Sequence, residues 1–266
     1  MGISLWLNKG RKRCSDTESS KLTGSFLFHP KRRIAMKTIG MIGGMSWESS
    51  IEYYRIINET VRTELGGLHS AKSIMVSVEF AEIEALQHRG RWDEAAEILI
   101  DAARSLESGG ADFAIICTNT MHKLYDNIQQ SVRIPLLHIA DATAESIKAQ
   151  EIQKISLLGT RFTMEETFYK GRLKERYGLE VITPSSEDMQ IIHRIIYEEL
   201  CAGLIKSDSK QKYMGIIRRL VKEGAEGIIL GCTEIGLLVQ QADSPVPLFD
   251  TTAIHAKAAV KYALAG

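Results

Sequence analysis

The chain has 266 residues, a formal net charge of zero and 44% apolar residues, which suffices for one large or two small α/β domains with buried cores. No apolar run approaches the roughly 20 residues that span a bilayer, so we expect no membrane association. The charge is unevenly placed: residues 1 to 35 hold eight Lys or Arg against two acids, whereas the remainder holds 25 bases and 31 acids. An acidic body argues against a nucleic-acid partner.

The cysteines and histidines show no metal-binding spacing. The four cysteines are scattered, without a CxxC pair, and the seven histidines form no HExxH motif. We therefore predict no metal and no disulfide framework, and a reducing cytoplasm as the compartment.

Residues 1 to 35 differ from the rest of the chain. They mix basic clusters with Ser, Thr and Gly and lack helical or strand periodicity, so we expect a disordered basic leader. A basic targeting arm and a start codon placed too early are the alternatives. The patterned chain begins at Met36, and a protein starting there is expected to be as stable and active as the full chain.

From Met36 onward, short apolar runs alternate with longer amphipathic ones, which is typical of βαβ units around a parallel sheet. Strands are predicted at residues 38–42, 74–78, 113–117, 134–139, 155–158, 180–183, 227–230 and 246–249. Helices are predicted at residues 47–64, 92–108, 141–150, 163–177, 186–201, 209–223 and 254–264.

The eight predicted strands divide into two groups of four. The sequence around residues 107–113 resembles that around residues 222–227, since in both a helix ends at Gly and an apolar strand follows. We predict an α/β fold with two similar Rossmann-like domains. The first comprises residues 36–139 plus about 250–266, and the second comprises residues 140–249.

Ligands of parallel sheets bind beyond the carboxyl ends of the strands. The first predicted strand ends in a Gly-Gly turn followed by Met45 and Ser46, where a helix start offers free N–H groups. The fifth ends at Thr160, again at a helix start. A common alternative role for these hydroxyl residues is helix capping.

Two further strand ends carry nearly the same pattern, AIICTNTMH at residues 114–122 and IILGCTEI at residues 228–235. One reactive group from each half could flank a bound molecule and move a proton between the two faces of a carbon. Cys232 precedes a predicted helix, whose dipole should favour its thiolate. Cys117 and Thr118 are adjacent, so only one of them can face the cleft. Cys201 is predicted to be a buried, inert cysteine.

These motifs together resemble the cofactor-independent aspartate/glutamate racemase superfamily, most closely its aspartate racemase branch. The resemblance runs from Met36 to the C-terminus. It implies two α/β domains in pseudo-twofold relation with the active site in the cleft between them, frequent homodimers, an amino-acid substrate and no cofactor. It also implies proton transfer by two thiols, one from each domain.

The chain departs from this family pattern at one position. Family members have Cys directly before Asn-Thr, whereas here Thr118 precedes Asn119 and Cys117 is displaced by one residue. Aligning on Asn119 places Thr118 in the cleft, so the expected catalytic pair is Thr118 and Cys232. In the family the second-half cysteine serves the L-isomer, and a Thr hydroxyl is a poor base. The resemblance therefore implies a preference for L-substrates.

Binding of the substrate requires donors that stabilise the charge developing near the α-carbon. The predicted substrate-binding residues are Met45, Ser46, Gln87, Asn119, Thr120, Thr160, Thr233 and Glu234, with backbone amides of residues 44–46. Gln87, Arg89 and Arg161 are candidates for the side-chain carboxylate, although each could equally be a surface residue. His122 is assigned first a structural role and second that of a general acid.

Two functional hypotheses follow. The first is an aspartate and/or glutamate racemase, with maleate isomerase or hydantoin racemase as related activities. The second is a ligand-binding module that has lost the chemistry, which the threonine at position 118 favours. Cys232 and the intact Asn-Thr and Thr-Glu pairs favour the first.

Overall fold

Eight strands form two four-stranded parallel sheets in the part of the chain that the structure, a computed structural model, describes, residues 35 to 265. The strands are β1 (Ile39–Gly43), β2 (Ser73–Ser77), β3 (Phe113–Ile116), β4 (Leu136–Leu137), β5 (Lys154–Gly159), β6 (Glu180–Ile182), β7 (Gly227–Gly231) and β8 (Leu248–Asp250). The predicted leader lies outside these residues, except for its last residue.

The two sheets have equivalent strand orders, β2-β1-β3-β4 and β6-β5-β7-β8. In the first sheet Ile39 is paired with both Ser73 and Phe113, and in the second Ile155 is paired with both Val181 and Gly227. The predicted α/β class, with four parallel strands in each half, is confirmed.

Eleven α-helices connect and cover these strands between residues 35 and 265. They are α1 (Trp47–Leu65), α2 (Phe80–His88), α3 (Trp92–Ser108), α4 (Tyr125–Ser131), α5 (Ile139–Lys148), α6 (Arg161–Glu165), α7 (Thr167–Tyr177), α8 (Ser186–Glu198), α9 (Ser207–Lys222), α10 (Ile235–Leu238) and α11 (Thr251–Leu264). Short 3-10 helices cover Thr120–Leu124, Leu200–Ala202 and Gln241–Asp243. The predicted helix at 163–177 is interrupted at Glu166, and α2 and α4 were not predicted.

Polar residues at the carboxyl ends of strands begin several helices. Ser46 accepts a hydrogen bond from the Ser49 N–H at the start of α1, and Asp250 accepts from two amides at the start of α11. Thr160 caps α6 in the same way. These side chains satisfy amides that would otherwise lack partners at a helix start. The strand ends and the helix starts are thereby fixed along the edge where a parallel sheet binds ligands.

Each sheet is covered on both faces. In the first half, α3 and its neighbours pack on one face, while α1 and the C-terminal α11 pack on the other. In the second half, α8 and α9 cover one face, and α5 and α7 cover the other. The central strands β1, β3, β5 and β7 are therefore buried, mostly apolar runs. The described residues fall in one compact unit, and its division into two domains stays a prediction.

Candidate active site

A cavity of about 30 Å³ lies where the two sheets present their carboxyl edges to each other. It is lined by Met45, Phe80, Gln87, Thr118, Asn119, Thr120, Thr160, Ile196, Tyr197, Cys201, Gly231, Cys232 and Glu234. This volume accommodates a water molecule or two rather than an amino acid. The lining residues must therefore rearrange to admit a substrate.

Most of the predicted site residues meet at this cavity. Eight of them line it, namely Met45, Gln87, Thr118, Asn119, Thr120, Thr160, Cys232 and Glu234. Ser46 and Thr233 are not among the lining residues, but both donate hydrogen bonds to Glu234. Arg89 and Arg161 are exposed and are not brought into the site.

The Glu234 carboxylate is the polar centre of the second-half strand end. It is 4% exposed, and its Oε2 accepts hydrogen bonds from the Cys232 thiol over 2.9 Å and from the Thr233 hydroxyl over 2.6 Å. Its Oε1 accepts from the Ser46 hydroxyl of the first half over 2.7 Å. A buried carboxylate needs such donors to remain charged. Glu234 thus joins the catalytic thiol candidate to the other half of the molecule.

The expected stabilisation of the Cys232 thiolate by a helix dipole was wrong. Helix α10 has four residues and begins three positions after Cys232. Burial, followed by the negative charge of Glu234, raises the pKa of the Cys232 thiol well above its usual value. Cys232 is accordingly a thiol that donates to a carboxylate, and its ionisation requires a proton acceptor.

Cys117 and Thr118 lie on opposite sides of the strand end. Cys117 is 1% exposed and packs in the core among residues of β1, α1 and α11, where burial raises the pKa of its thiol. Thr118 lines the cavity. The alternation of side chains beyond β3 therefore places Thr118, rather than Cys117, at the cavity.

Asn119 lines the cavity, and the hydrogen bonds around its side chain fix the orientation of its amide. The Thr251 hydroxyl donates to the Leu230 carbonyl over 2.8 Å, so it can only accept from Asn119, whose Nδ2 lies 3.0 Å away. This fixes the orientation of the amide. Asn119 Oδ1 is buried and has no hydrogen-bond partner among the described residues. It is an acceptor suited to a donor on a ligand.

Threonine hydroxyls bridge the two halves on the same edge. Thr120 of the first half lies 3.0 Å from the Thr160 hydroxyl and 3.4 Å from the Thr163 hydroxyl of the second. Each hydroxyl can donate or accept, and hence the cluster can reorient its protons around a ligand.

The sequence did not indicate the residues that close the remaining side of the cavity. Phe80 lies on the unpredicted helix α2, and Ile196 and Tyr197 lie on α8, where they looked like ordinary apolar positions. Cys201 lines the cavity, whereas only burial was expected of it. The Tyr197 hydroxyl donates to Gln87 Oε1 over 3.3 Å, so the two halves are also linked here.

The Gly-Gly turn contributes through its shape rather than its amides. Gly44 has φ +93°, and a Cβ at this position would lie 2.2 Å from the Val78 carbonyl oxygen. Its N–H donates to the Ser50 hydroxyl over 2.8 Å, so the predicted contribution of the Gly44 amide to a ligand cradle was wrong. The turn instead brings Met45 to the cavity wall.

Between residues 35 and 265, no group of three or more His, Cys, Asp or Glu residues is placed to hold a metal ion. Over the same residues, no helix has the length and apolar character needed to cross a membrane.

Comparison with known proteins identifies the family of this chain. The sequence profile of the Asp/Glu/Hydantoin racemase family matches residues 42–259. The chain belongs to this family. Among curated proteins, the broad specificity amino-acid racemase RacX of Bacillus subtilis is 28% identical over 180 residues, which cover 65% of this chain and 74% of RacX. Membership of this family, together with the similarity to RacX, identifies the chain as an amino-acid racemase.

Solved structures of related proteins extend the agreement. A Yersinia pestis protein assigned to the Asp/Glu racemases is 58% identical with a TM-score of 0.81, covering 86% of this chain and 100% of that one. An aspartate racemase homologue from Pyrococcus horikoshii is 38% identical with a TM-score of 0.75, covering 86% and 99%. The racemase family identified from the sequence is confirmed.

Proposed function

We propose that this racemase acts on aspartate and/or glutamate without a cofactor, and that it favours the L-isomers. The observation that carries the proposal is that Cys232 and Thr118, from equivalent strand ends of the two sheets, line one cavity. An amino acid between them would present one face of its α-carbon to each. A proton can then be removed on one face and returned on the other.

Cys232 is the proposed base for the L-isomer. In the structure its proton lies in a hydrogen bond to Glu234, which is 2.9 Å away. Transfer of this proton to the carboxylate leaves a thiolate, which takes the α-proton of the substrate. Glu234 is therefore proposed to hold the thiol proton during the reaction. The raised pKa of Cys232 makes such an acceptor necessary.

Thr118 is the proposed donor on the opposite face. A hydroxyl is a poor base near neutral pH, but it can deliver a proton to a carbanion and recover it through neighbouring groups. Removal of the α-proton from a D-substrate would require Thr118 to act as a base. The proposed enzyme is therefore lopsided: α-proton exchange and kcat are larger for L-substrates, whereas kcat/KM for inversion is equal in the two directions, because the enantiomers are equally stable.

The uncharged polar groups around the cavity are proposed to bind the amino-acid moiety. The free Asn119 Oδ1 suits the substrate ammonium, and the hydroxyls of Thr120 and Thr160 suit the α-carboxylate. In such a site the protein's own dipoles replace the charge stabilisation that pyridoxal phosphate gives other racemases. We also propose a homodimer, which sedimentation equilibrium tests.

A second candidate substrate class is amino acids with neutral side chains. No Arg or Lys occurs among the described lining residues, so nothing in this cavity neutralises a second carboxylate. Gln87, Tyr197 and Cys201 would instead face a neutral polar or apolar side chain. The broad specificity of RacX is in line with this alternative.

The decisive experiment is incubation of the purified protein in deuterium oxide with each enantiomer of aspartate and glutamate, and of asparagine and glutamine as neutral counterparts. Proton NMR follows loss of the α-hydrogen, and chiral chromatography follows inversion. Exchange from L-aspartate or L-glutamate without added cofactor supports the first candidate. Exchange from the amides alone supports the second, and exchange from none overturns both.

A further inference from the structure

Three buried imidazole rings lie beneath the Thr118 strand end, on the side away from the cavity. The ring centroids of His122 and His138 are 4.7 Å apart, and those of His122 and His255 are 5.7 Å apart. All three side chains are at least 95% buried. His122 takes no part in the proton transfer proposed above.

Hydrogen bonds fix the proton position on His122. The Ile139 N–H donates to His122 Nε2 over 3.2 Å, so this nitrogen carries no hydrogen. The hydrogen is therefore on Nδ1, which donates to the Thr118 carbonyl oxygen over 2.8 Å. His122 thus links the backbone of a proposed catalytic residue to the first residue of α5.

The same three rings bind the segment that crosses from the first four strands to the second four. The Leu137 carbonyl can only accept, so His255 Nε2 donates to it over 3.0 Å. The Nδ1 atom of the neutral ring then accepts from the Tyr53 hydroxyl. The Ala140 N–H donates to His138 Nδ1 over 3.1 Å. The Leu137 carbonyl and the Ile139 N–H of the crossover are therefore held by His255 of α11 and His122 of the first half, while His138, within the crossover, caps α5.

These imidazoles are neutral at ordinary pH. Burial is the main cause that lowers the pKa of His122 to about 3 and that of His255 to about 4, and it lowers the pKa of His138 as well. Arg172 lies close enough to lower the pKa values of His122 and His138, and it is paired with Asp141 over 2.6 Å. Tyr53 and Tyr125 also face the cluster. A neutral ring keeps both its donor and its acceptor, which this geometry requires.

We propose that His122 is a positioning residue for the Thr118 face of the reaction. By holding the Thr118 carbonyl against the fixed start of α5, it sets the backbone that directs the Thr118 hydroxyl into the cavity. The inference rests on the proposed roles of Thr118 and Cys232. A displacement of about 1 Å at a reacting group can cost on the order of 100-fold in rate. Because His122 contacts Thr118 and not Cys232, we expect its loss to slow proton delivery on the Thr118 face alone.

We expect a change at His122 to alter how the deprotonated substrate divides between exchange and inversion, rather than to lower both rates. An L-substrate that loses its α-proton to Cys232 can regain deuterium on the same face, which is exchange, or receive a proton or deuteron from Thr118, which is inversion. Misplacement of Thr118 slows only inversion. The ratio of inversion to exchange in deuterium oxide therefore reports on His122 independently of the amount of folded protein.

Two amide substitutions separate the two hydrogen bonds of the ring. His122→Asn keeps a donor near the Nδ1 position and so retains the bond to Thr118, whereas His122→Gln keeps an acceptor near the Nε2 position and retains the bond to Ile139. We expect His122→Gln to lower the inversion-to-exchange ratio about 10-fold and His122→Asn to keep it within about twofold of wild type. Equal ratios in both variants and wild type would overturn the inference.

His255→Gln is the matched control, because His255 is equally buried and hydrogen-bonded to backbone but does not contact Thr118. Its melting temperature should fall while its ratio stays at the wild-type value, and a ratio that falls as in His122→Gln would overturn the inference. Thr118→Val tests the premise. If Thr118→Val lowers the ratio and His122→Gln does not, the positioning role of His122 is refuted and the role of Thr118 stands. If Thr118→Val leaves the ratio unchanged, the proposed roles of Thr118 and His122 are both refuted.

Discussion

The strand ends after β3 and β7 occupy equivalent positions in the two sheets but have different chemical support. After β7, the Cys232 thiol contacts a buried carboxylate that is itself held by Ser46 and Thr233. After β3, the support is an imidazole on the Thr118 backbone carbonyl. In the proposed mechanism the first arrangement takes up a proton, whereas the second orients a hydroxyl. Equivalent backbone positions can therefore carry groups with different proton-transfer chemistry, depending on what lies behind each of them.

Removal of the thiol is expected to have the largest effect. Cys232→Ser should lower α-proton exchange from L-substrates by about 1000-fold, the scale of a lost general base, with an unchanged melting temperature. Exchange is measured by proton NMR in deuterium oxide. Near wild-type exchange in this variant would transfer the role of base to another residue and remove the contrast between the strand ends.

Neutralising the Glu234 carboxylate should make the Cys232 thiol ionise more easily and yet lower the rate of α-proton exchange. In Glu234→Gln the negative charge that helps to raise the pKa of Cys232 is absent, so the pH profile of thiol alkylation should move to lower pH. The α-exchange rate should nevertheless fall about 100-fold, because the acceptor of the thiol proton is lost. Ser46→Ala is the control, since it removes a hydrogen bond and leaves the charge. Unchanged exchange in Glu234→Gln would show that the thiol proton goes elsewhere.

Making the two strand ends alike should reduce the asymmetry. Thr118→Cys places a second thiol at the cavity, with a reference pKa of about 8.5 rather than that of a hydroxyl. We expect about a 10-fold gain in α-proton exchange from D-substrates and little change in exchange from L-substrates. Initial rates from each enantiomer provide the measurement. Equal wild-type rates of exchange from both enantiomers would already contradict the weak role of Thr118.

The smallest effect is expected for the buried neighbour of Thr118. Cys117→Ala removes a sulfur from the core beneath β3 and should cost about 1 kcal/mol of unfolding free energy while activity stays within about twofold. Chemical denaturation and initial rates test both statements. Complete loss of activity in a folded variant would mean that Cys117, and not Thr118, is the functional member of the pair.

Much of the fold follows from local sequence patterns. Apolar runs such as those of β1 and β7 predict central parallel strands. Helix α3 was predicted with the bounds that the structure shows. The short helix α2 was missed because its nine residues show little contrast between apolar and polar faces. The break at Glu166 was missed because neither Pro nor Gly marks it.

Most of the predicted residues that line the cavity are polar residues that follow a strand. Asn119, Thr120 and Cys232 meet this condition, and the structure places them at the cavity. Phe80 and Tyr197 arrive from helices that approach only when the two halves pack, which single-strand patterns do not encode. The raised pKa of Cys232 depends in the same way on burial and on the nearby charge of Glu234, which the local sequence pattern does not show.

The hydrogen bonds that join the halves across the cavity also set a threshold for any incoming molecule. Ser46 is bound to Glu234 and Thr120 to Thr160, so entry requires that these contacts be exchanged for contacts with the guest. Breaking these hydrogen bonds lowers the affinity for every ligand. A ligand with matching donors and acceptors regains that binding free energy, whereas an apolar ligand of similar size does not. The cleft therefore binds polar ligands in preference to apolar ones, at the cost of a lower affinity for both.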